Sequence, residues 1–359
     1  MKILVAPLDW GLGHATRCVP VIQEFLRQGA EVDLAVVEQN AALLKEFFPQ
    51  LKQFNAPSYG IVYPKHGSNM GLWLLKNAAH LCSVMKAEQC FAEEMVQKNH
   101  YDVLFSDNRF AFYSKNAYSI YMTHQRRIAF PEFFSKLEGV GEAWHNSRIK
   151  HFDEVWVPDL EEEPGYAGAM SHVKKTPVPV KFVGPLSRFS ADDNAAGPSK
   201  KYGVVAVISG VEPARSQFEA KLREILPQIP GQHVMILGKP SAGEKSWQEG
   251  NVEFHHHLPT EAFAEVVRNA DWVISRGGYS TIMDMAVLGA KCIVVPTPGQ
   301  YEQIVLGKSL DQSGFGVCIP ANRLSASALQ MAFSRQVQLP VPPQNSLLND
   351  AVASLKGRI

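Results

Sequence analysis

Short apolar runs of strand length alternate with longer amphipathic stretches along most of this 359-residue chain. The first run, residues 2–8, is followed by a glycine-rich loop, an amphipathic stretch to about Gln28 and a second run at residues 32–37. Continuous apolar runs separated by helical stretches are typical of parallel strands that helices cover on both faces. The alternation therefore predicts an α/β fold of the Rossmann type.

The alternation occurs in two series, which the small, polar residues 190–201 separate like a linker. A chain of this length exceeds one ordinary hydrophobic core. We therefore expect two Rossmann-like domains that face each other across a cleft. The expected boundaries are residues 1–184 for the first domain, residues 185–340 for the second, and residues 341–359 for a C-terminal helix that crosses back to the first domain.

Composition excludes several classes of protein. The formal net charge is zero and no long basic run contains interleaved aromatics, which disfavours binding to nucleic acid. Five cysteines are scattered without CxxC spacing, which favours a reducing compartment and no metal cluster. The first apolar run is too short for a signal peptide, and no stretch of about 18 apolar residues exists to span a membrane. We expect a cytoplasmic protein.

Glycine-rich loops follow strand-like runs in both series. The first loop contains Gly11 and Gly13 before His14, and the second series contains Ser209-Gly210 and the segment 276–281. Glycines let a backbone approach a ligand closely, and the following helix N-terminus offers N–H groups to an anion. Ligands of open α/β sheets bind beyond the carboxyl ends of the strands. The loops therefore predict an anionic ligand in the cleft.

The first loop departs from the two common nucleotide-binding motifs. It lacks the third glycine of GxGxxG, and Glu38 is the nearest acidic residue to the end of the second run. A tight turn without a ligand therefore remains an alternative for this loop. GxxxxGK[ST] is absent from the chain, which excludes a P-loop NTPase.

The segment from Ala270 to Gln303 is more specific. It resembles the donor-binding region of GT-B glycosyltransferases, in particular the family-28 branch that includes MurG. Gly-Leu-Gly-His-Ala-Thr-Arg at positions 11–17 is similar to the N-terminal glycine-rich loop of that group, and the resemblance covers nearly the whole chain in order. It implies an enzyme that transfers a hexose or N-acetylhexosamine from a UDP-sugar to a hydroxyl acceptor.

The resemblance also implies roles for individual residues. Asp284 falls where the family places an acidic residue on the ribose hydroxyls, and a carboxylate can accept two O–H bonds. An ordinary acidic residue near a helix N-terminus is the alternative for Asp284. The other predicted donor-binding residues are Gly11, Gly13, Ser209, Gly210, Arg215, His257, Leu258, Arg276, Gly277, Gly278, Ser280, Thr281, Gln300, Glu302 and Gln303.

We predict that the reaction needs no metal and no cofactor. GT-A enzymes hold a metal on an Asp-x-Asp motif, and this chain contains none. The consecutive histidines 255–257 are poor ligands, because adjacent residues of an extended chain point to opposite sides. Helix N-termini and one arginine, Arg215 or Arg276, can stabilise the leaving nucleoside diphosphate instead. Either arginine has a structural ion pair as its alternative role.

His14 is the predicted general base, because an ordinary histidine pKa of about 6.5 suits proton abstraction near neutral pH. The alternative is a loop histidine that caps a helix or touches phosphate without proton transfer. Asp107, in a polar segment after a strand-like run, is the reserve base. Asn108, Arg109 and His124 are candidates for the acceptor side.

The acceptor itself stays open between a small molecule, a glycan and a lipid-linked molecule. The apolar stretch Met70–Met85 is either a lip that contacts the inner face of the membrane or a core helix. Two alternatives to glycosyl transfer also remain: a UDP-sugar hydrolase of the same fold, with water as the acceptor, and a non-catalytic protein that binds a nucleotide-sugar.

Overall fold

The computed structural model describes residues 1–60, 70–127, 138–173, 175–189, 200–210, 212–239, 243, 245–340 and 346–358. These residues form two compact units. The first unit contains the chain up to Arg188 together with the C-terminal helix, and the second unit begins at Phe189. The predicted boundary between the two domains lies four residues earlier, between Gly184 and Pro185. Most of the predicted linker lies outside the described residues.

The first unit is built on a seven-stranded sheet, counted over the described residues, in which every strand pairs in parallel with its neighbours. Its strands are β1 (Lys2–Pro7), β2 (Glu31–Val36), β3 (Gln53–Asn55), β4 (Val103–Asp107), β5 (Tyr118–Met122), β6 (Glu154–Val157) and β7 (Val180–Phe182). The spatial order is β3-β2-β1-β4-β5-β6-β7. The order reverses between β1 and β4, which is where doubly wound sheets bind their ligands.

Helices connect these strands. They are α1 (Leu12–Arg27), α2 (Glu38–Phe47), α3 (Met70–Asn99) and α4 (Glu138–Ile149), with α10 (Ser346–Ala353) from the C-terminus. Helix α1 begins after Gly11, whose φ of 109° suits a glycine, and it is followed by Gly29 at φ 82°. Its apolar face, which includes Val19 and Phe25, is fully buried.

The second unit repeats this plan. Its strands are β8 (Tyr202–Val207), β9 (His233–Ile236), β10 (Ser246–Glu249), β11 (Val252–His255), β12 (Ala270–Ser275), β13 (Cys292–Val294) and β14 (Val317–Cys318). The spatial order is β10-β11-β9-β8-β12-β13-β14, and only the described hairpin β10–β11 is antiparallel. Its helices are α5 (Ala214–Ile225), α6 (Thr260–Arg268), α7 (Tyr279–Val287), α8 (Tyr301–Gln312) and α9 (Ala326–Phe333). The strand order reverses between β8 and β12.

The predicted α/β fold with two Rossmann-like units is confirmed. The edge strands β3, β7, β10 and β14 were not predicted. None of them is fully buried, in contrast to the equally short strands β6 and β13, and three of the four residues of β10 are exposed. The core strands that were predicted are those buried on both faces.

Helix α10 packs against α1 and so belongs to the first unit. Gln28 Nε2 donates to the carbonyl oxygen of Asn349 at 2.9 Å. Beyond the helix, Arg358 Nη1 donates to the buried Glu154 carboxylate at 2.6 Å. Lys181 lies 2.9 Å from the other oxygen of Glu154, so that one buried carboxylate joins the C-terminal segment to the sheet.

Among the described helices, none has the length and apolar character that crossing a membrane requires. Helix α3 contains the predicted apolar stretch Met70–Met85. Within it Val84 is buried with Leu8 and Tyr59, whereas residues 78–80, 82 and 83 are exposed, so residues 77–85 contact the core on one side only. The side chains of residues 70–76 lie outside the described residues.

The ion pair of Arg358 predicts a measurable effect on stability. Arg358→Ala should lower the free energy of unfolding by about 1–2 kcal/mol, because it removes one of two cations from a buried carboxylate while the arginine itself is partly exposed. Chemical denaturation followed by fluorescence measures this change. Lys356→Ala is the matched control, since Lys356 is exposed in the same turn, and an equal loss in both variants would contradict the prediction.

Candidate active site

His14 and Asp107 meet at the point where the first sheet reverses its strand order. Strands β1 and β4 are neighbours with Pro7 opposite Asp107, the last residue of β4. The chain leaves β1, turns at Gly11 and enters α1, which places His14 in the first turn of that helix. Because parallel strands end at the same edge of a sheet, two residues 93 positions apart come together.

The two side chains form a hydrogen-bonded pair. His14 Nδ1 lies 2.9 Å from Asp107 Oδ2, and the carboxylate is fully buried whereas the imidazole keeps 16% of its surface exposed. Nε2 of His14 makes no hydrogen bond with any residue that the structure describes. Burial and the neighbouring Arg17 lower the pKa of His14 below its ordinary value, and Asp107 opposes them. His14 is therefore neutral near pH 7.

Arg17 completes this cluster and was not predicted as a site residue. It lies one turn after His14 on α1, and its buried side chain donates from Nε to both oxygens of Asp107 at 2.9 and 3.0 Å. Burial alone would raise the pKa of Asp107, but Arg17 and His14 outweigh it and lower that pKa. The buried carboxylate is therefore ionised. The spacing of three residues between His14 and Arg17 was the signal in the sequence, since it puts both on one helix face.

Most of the predicted donor-binding residues gather at one edge of the second sheet, whereas Gly11 and Gly13 lie in the first unit, at the start of α1. Because the parallel strands of the second sheet share their carboxyl ends, the loops after β8, β11, β12 and β13 lie together. These loops contribute Ser209, Gly210, His257, Leu258, Arg276, Gly277, Gly278 and Gln300, and the helices that follow β12 and β13 contribute Ser280, Thr281, Asp284, Glu302 and Gln303. The loops after β8 and β12 flank the second reversal of strand order.

The N-terminus of α7 offers an anion site at this edge. Its N-cap is Gly278, which has no side chain to occupy the first backbone N–H groups, and its first turn carries no acidic residue. The N-terminus of α5 is different, because Glu212 accepts the backbone N–H of Ser216 at 3.2 Å. A carboxylate thus already occupies the N-terminus of α5, and the N-terminus of α7 is the better place for a phosphate group.

Comparisons with known proteins agree with this geometry. Residues 216–345 match the family described as glycosyltransferase family 28 C-terminal domain. A protein of Methanosarcina acetivorans named as an uncharacterized glycosyltransferase is 24% identical over 330 residues, which cover 88% of this chain and 83% of that protein. The fold is similar to that of CalG4, the calicheamicin glycosyltransferase, with a TM-score of 0.65 at 16% identity over 99% of this chain and 93% of that one. It is also similar to Acinetobacter baumannii MurG, with a TM-score of 0.58 at 13% identity over 99% of both chains.

The chain is a glycosyltransferase of the GT-B fold. The match to the family 28 C-terminal domain lies in the second unit, and it is the branch that the motifs resembled. The predictions of a MurG-like GT-B enzyme and of sugar transfer from a nucleotide-sugar donor are confirmed at this level.

The predicted acceptor side of the glycosyltransferase needs correction at Arg109. Its fully buried guanidinium donates from Nε to Glu88 at 2.5 Å and also bonds the carbonyl oxygens of Pro7 and Pro57. A side chain enclosed in this way has no surface for an acceptor. Arg109 is a structural residue that ties the end of β4 to α3.

Two further residues of the predicted acceptor side have different positions. His124 is buried, with Nδ1 3.1 Å from Arg17 Nη1, so it supports the cluster from behind rather than from the open side. Asn108 is half-buried at the sheet edge with a φ of 58°, and its Oδ1 accepts a hydrogen bond from Tyr121 at 2.9 Å. Asn108 stays a candidate for contact with the acceptor.

Both predicted diphosphate-binding arginines of the glycosyltransferase are structural instead. Arg276 is buried over the ring of Phe218 and donates to three backbone carbonyl oxygens, and burial lowers its pKa to about 10. Arg215 is buried with Nη1 3.1 Å from Glu219 and also donates to the carbonyl oxygen of Leu237. Among the described residues, Arg215 forms the ion pair that was its alternative role, whereas Arg276 bonds carbonyl oxygens and its Nε has no hydrogen-bond partner.

Asp284 and Glu302 lie near the N-termini of the helices that follow β12 and β13. Asp284 is half-buried on α7, one turn beyond its N-terminus, and Glu302 is half-buried in the first turn of α8. Gln303 Oε1 accepts the backbone N–H of Thr297 at 2.9 Å, and its Nε2 donates to Gln300. The side chains of Gln300 and Gln303 therefore hold the loop after β13 in place, next to the predicted site.

The consecutive histidines do not converge. His255 Nε2 lies 2.9 Å from Glu253, and His256 stacks edge-on against Trp247, so these two rings make separate contacts. Among the described residues, no three His, Cys, Asp or Glu side chains form a group that suits a metal ion.

Alanine at two adjacent glycines of the donor loop should affect stability to different degrees. A Cβ on Gly277 would lie 2.8 Å from Val294 Cγ1 and 3.2 Å from the carbonyl oxygen of Gln303, whereas a Cβ on Gly278 meets only Thr281 at 3.8 Å. Gly277→Ala should therefore lower the free energy of unfolding by about 1–3 kcal/mol, the usual cost of overpacking. Gly278→Ala, the control, should change it by less than about 0.5 kcal/mol. Thermal melts of both variants measure the difference, and equal stabilities would show that α8 moves aside.

Proposed function

We propose that this glycosyltransferase transfers a hexose or N-acetylhexosamine from a UDP-sugar to a hydroxyl acceptor without a metal ion. His14 is the general base of the reaction. The observation that carries the proposal is the pair of His14 with the buried Asp107 at the switch point of the first sheet, with Nε2 left over for a substrate.

The pair performs one proton transfer in a direct displacement. The acceptor O–H gives its proton to Nε2 of His14 while the acceptor oxygen forms a bond to the anomeric carbon. The bond between that carbon and the diphosphate oxygen breaks, and UDP leaves with the electron pair. Asp107 accepts the hydrogen bond of Nδ1–H and stabilises the imidazolium that forms, but it transfers no proton itself because it is fully buried. The reserve base of the sequence analysis thus becomes the partner of the base.

The second unit is proposed to bind the donor. The N-terminus of α7 and the backbone of Gly277-Gly278 face the diphosphate, and Asp284, further along the same helix, accepts the ribose hydroxyls. Ser209-Gly210 approach from the neighbouring loop, where Gly210 has a φ of 108°. Glu302 reads sugar hydroxyls. The choice of UDP rests on the family resemblance.

Metal independence follows from how the leaving group is stabilised. The amide dipoles of α7 converge at its N-terminus and oppose the charge that develops on the diphosphate. Arg215 and Arg276 bond other groups of the protein. We therefore assign stabilisation of the leaving diphosphate to this helix rather than to an arginine.

We also propose that the enzyme acts in the cytoplasm. All five cysteines are free thiols, which is the state expected in a reducing compartment. Cys18 and Cys292 are buried and burial raises the pKa of both thiols, so they are poor nucleophiles that persist as thiols.

The base assignment predicts a split between turnover and binding. His14→Ala should lower turnover by about 10²–10⁴-fold, the usual contribution of a positioned base, and should leave UDP affinity unchanged. UDP release in the presence of a panel of hydroxyl acceptors measures turnover, and calorimetry measures UDP affinity. His80→Ala, which changes an exposed histidine of the same unit, is the control. A parallel loss of turnover and affinity would show that His14 touches phosphate instead.

Metal independence predicts that excess EDTA changes neither UDP binding nor UDP release. The helix dipole is part of the protein and a chelator cannot remove it. The same calorimetric titration, repeated with EDTA and then with added Mg²⁺ or Mn²⁺, gives the comparison. Binding or turnover that EDTA abolishes and a divalent ion restores would refute this part. UDP release at the full rate without any acceptor would indicate a hydrolase.

A further inference from the structure

Nδ1 of His14 has two neighbours that compete for it. It lies 2.9 Å from Asp107 Oδ2 and 2.9 Å from Arg17 Nη2. One imidazole nitrogen either donates or accepts a hydrogen bond, so it satisfies only one neighbour at a time. If Nδ1–H donates to Asp107, Nε2 has a lone pair and His14 is a base. If Nδ1 accepts from Arg17, the proton lies on Nε2 and His14 cannot accept another.

Arg17 is held where it competes. Its Nε donates to both oxygens of Asp107, its Nη1 lies 3.1 Å from His124 Nδ1, and its side chain is buried. Nη2 uses one hydrogen on Asp107 Oδ1, which leaves its second hydrogen for His14. Because the guanidinium is planar, no rotation keeps its contacts with Asp107 and His124 while moving Nη2 away from His14.

The charged and titratable groups that face His14 come from three elements. Arg17 lies on α1 itself, Asp107 ends β4, and His124 follows β5. The thiol of Cys18 lies behind, 3.7 Å from Asp107. The guanidinium of Arg17 opposes protonation of His14, while Asp107 favours it.

We propose that Arg17 is a positioning residue of the reaction, which holds Asp107 against His14 and also competes with Asp107 for Nδ1. This inference rests on the proposed role of His14 as the base. Arg17 thereby sets the fraction of His14 that is the base-competent tautomer, and it keeps His14 neutral to lower pH than a His–Asp pair alone would allow.

Proton transfer changes the outcome of this competition. When the acceptor proton reaches Nε2, both ring nitrogens carry hydrogen and Nδ1 can only donate. The Nη2 hydrogen of Arg17 then has no acceptor on His14, and Asp107 receives Nδ1–H. A guanidinium beside the new imidazolium favours loss of the Nε2 proton to water, which restores the base after each turnover.

The pH dependence of kcat/KM tests the charge of Arg17. The base is lost as pH falls through the pKa of His14, which gives the acidic limb of the profile. Arg17→Met removes a cation next to Nδ1, so the limb should move to higher pH by about one to three pH units. Arg17→Lys keeps the charge and should move it by less. Arg27→Met, which changes an exposed arginine at the far end of α1, should leave it in place.

The position of the proton on His14 tests the competition directly. In protein labelled with ¹⁵N-histidine, the shifts of Nδ1 and Nε2 report which nitrogen carries hydrogen, and His14→Gln assigns the signals. Arg17→Met offers no N–H donor, so it should shift the population toward Nδ1–H, with circular dichroism to show that it is folded. Arg17→Lys is the control, because its ammonium has three hydrogens and can still donate to Asp107 and His14 together.

Two results would overturn the inference. One is a wild-type protein in which His14 is entirely the Nδ1–H tautomer, and the other is an acidic limb that stays in place in folded Arg17→Met. Both are separate from failure of the proposed function. If His14→Ala kept full turnover, His14 would not be the base, but the NMR populations would still show whether Arg17 competes for Nδ1.

Discussion

The ion pair between Arg17 and Asp107 is the interaction on which the first unit's site depends. A buried carboxylate without a partner would cost several kcal/mol, and Asp107 is fully buried at the end of a central strand. Arg17 satisfies both of its oxygens from the helix that follows the neighbouring strand. The pair therefore links α1 to β4, and this link fixes the position of His14 on α1.

The end of β4 is fixed from two directions by side chains two positions apart. Asp107 points toward α1, and Arg109, two residues later, bonds Glu88 on α3. Asn108 between them has a left-handed backbone, which asparagine tolerates better than most residues. A strand end that is tied to two helices holds its side chains in one arrangement, and catalytic groups need such rigidity.

Much of this arrangement could be predicted from the sequence, and the failures share one cause. The apolar runs and glycine loops gave both sheets and the loop edges, because these patterns are local. Arg215 and Arg276 were predicted to neutralise the diphosphate and Arg109 to lie on the acceptor side, yet all three are buried and each bonds at least one group distant in the chain. His14 and Asp107 were treated as competing bases, since the sequence does not state which strands are neighbours. Strand order made them partners.

The C-terminal helix has a consequence for how the chain can be divided. Helix α10 packs on α1, the helix that carries His14 and Arg17, and Arg358 reaches the buried Glu154 of the same unit. The first unit is therefore discontinuous in sequence, and no single cut separates the two units into complete halves. A fragment that ends at Arg188 would leave the Gln28 side of α1 uncovered and Glu154 short of one cation. Dissection of this enzyme requires that the last helix be rejoined to the first unit, for example by circular permutation.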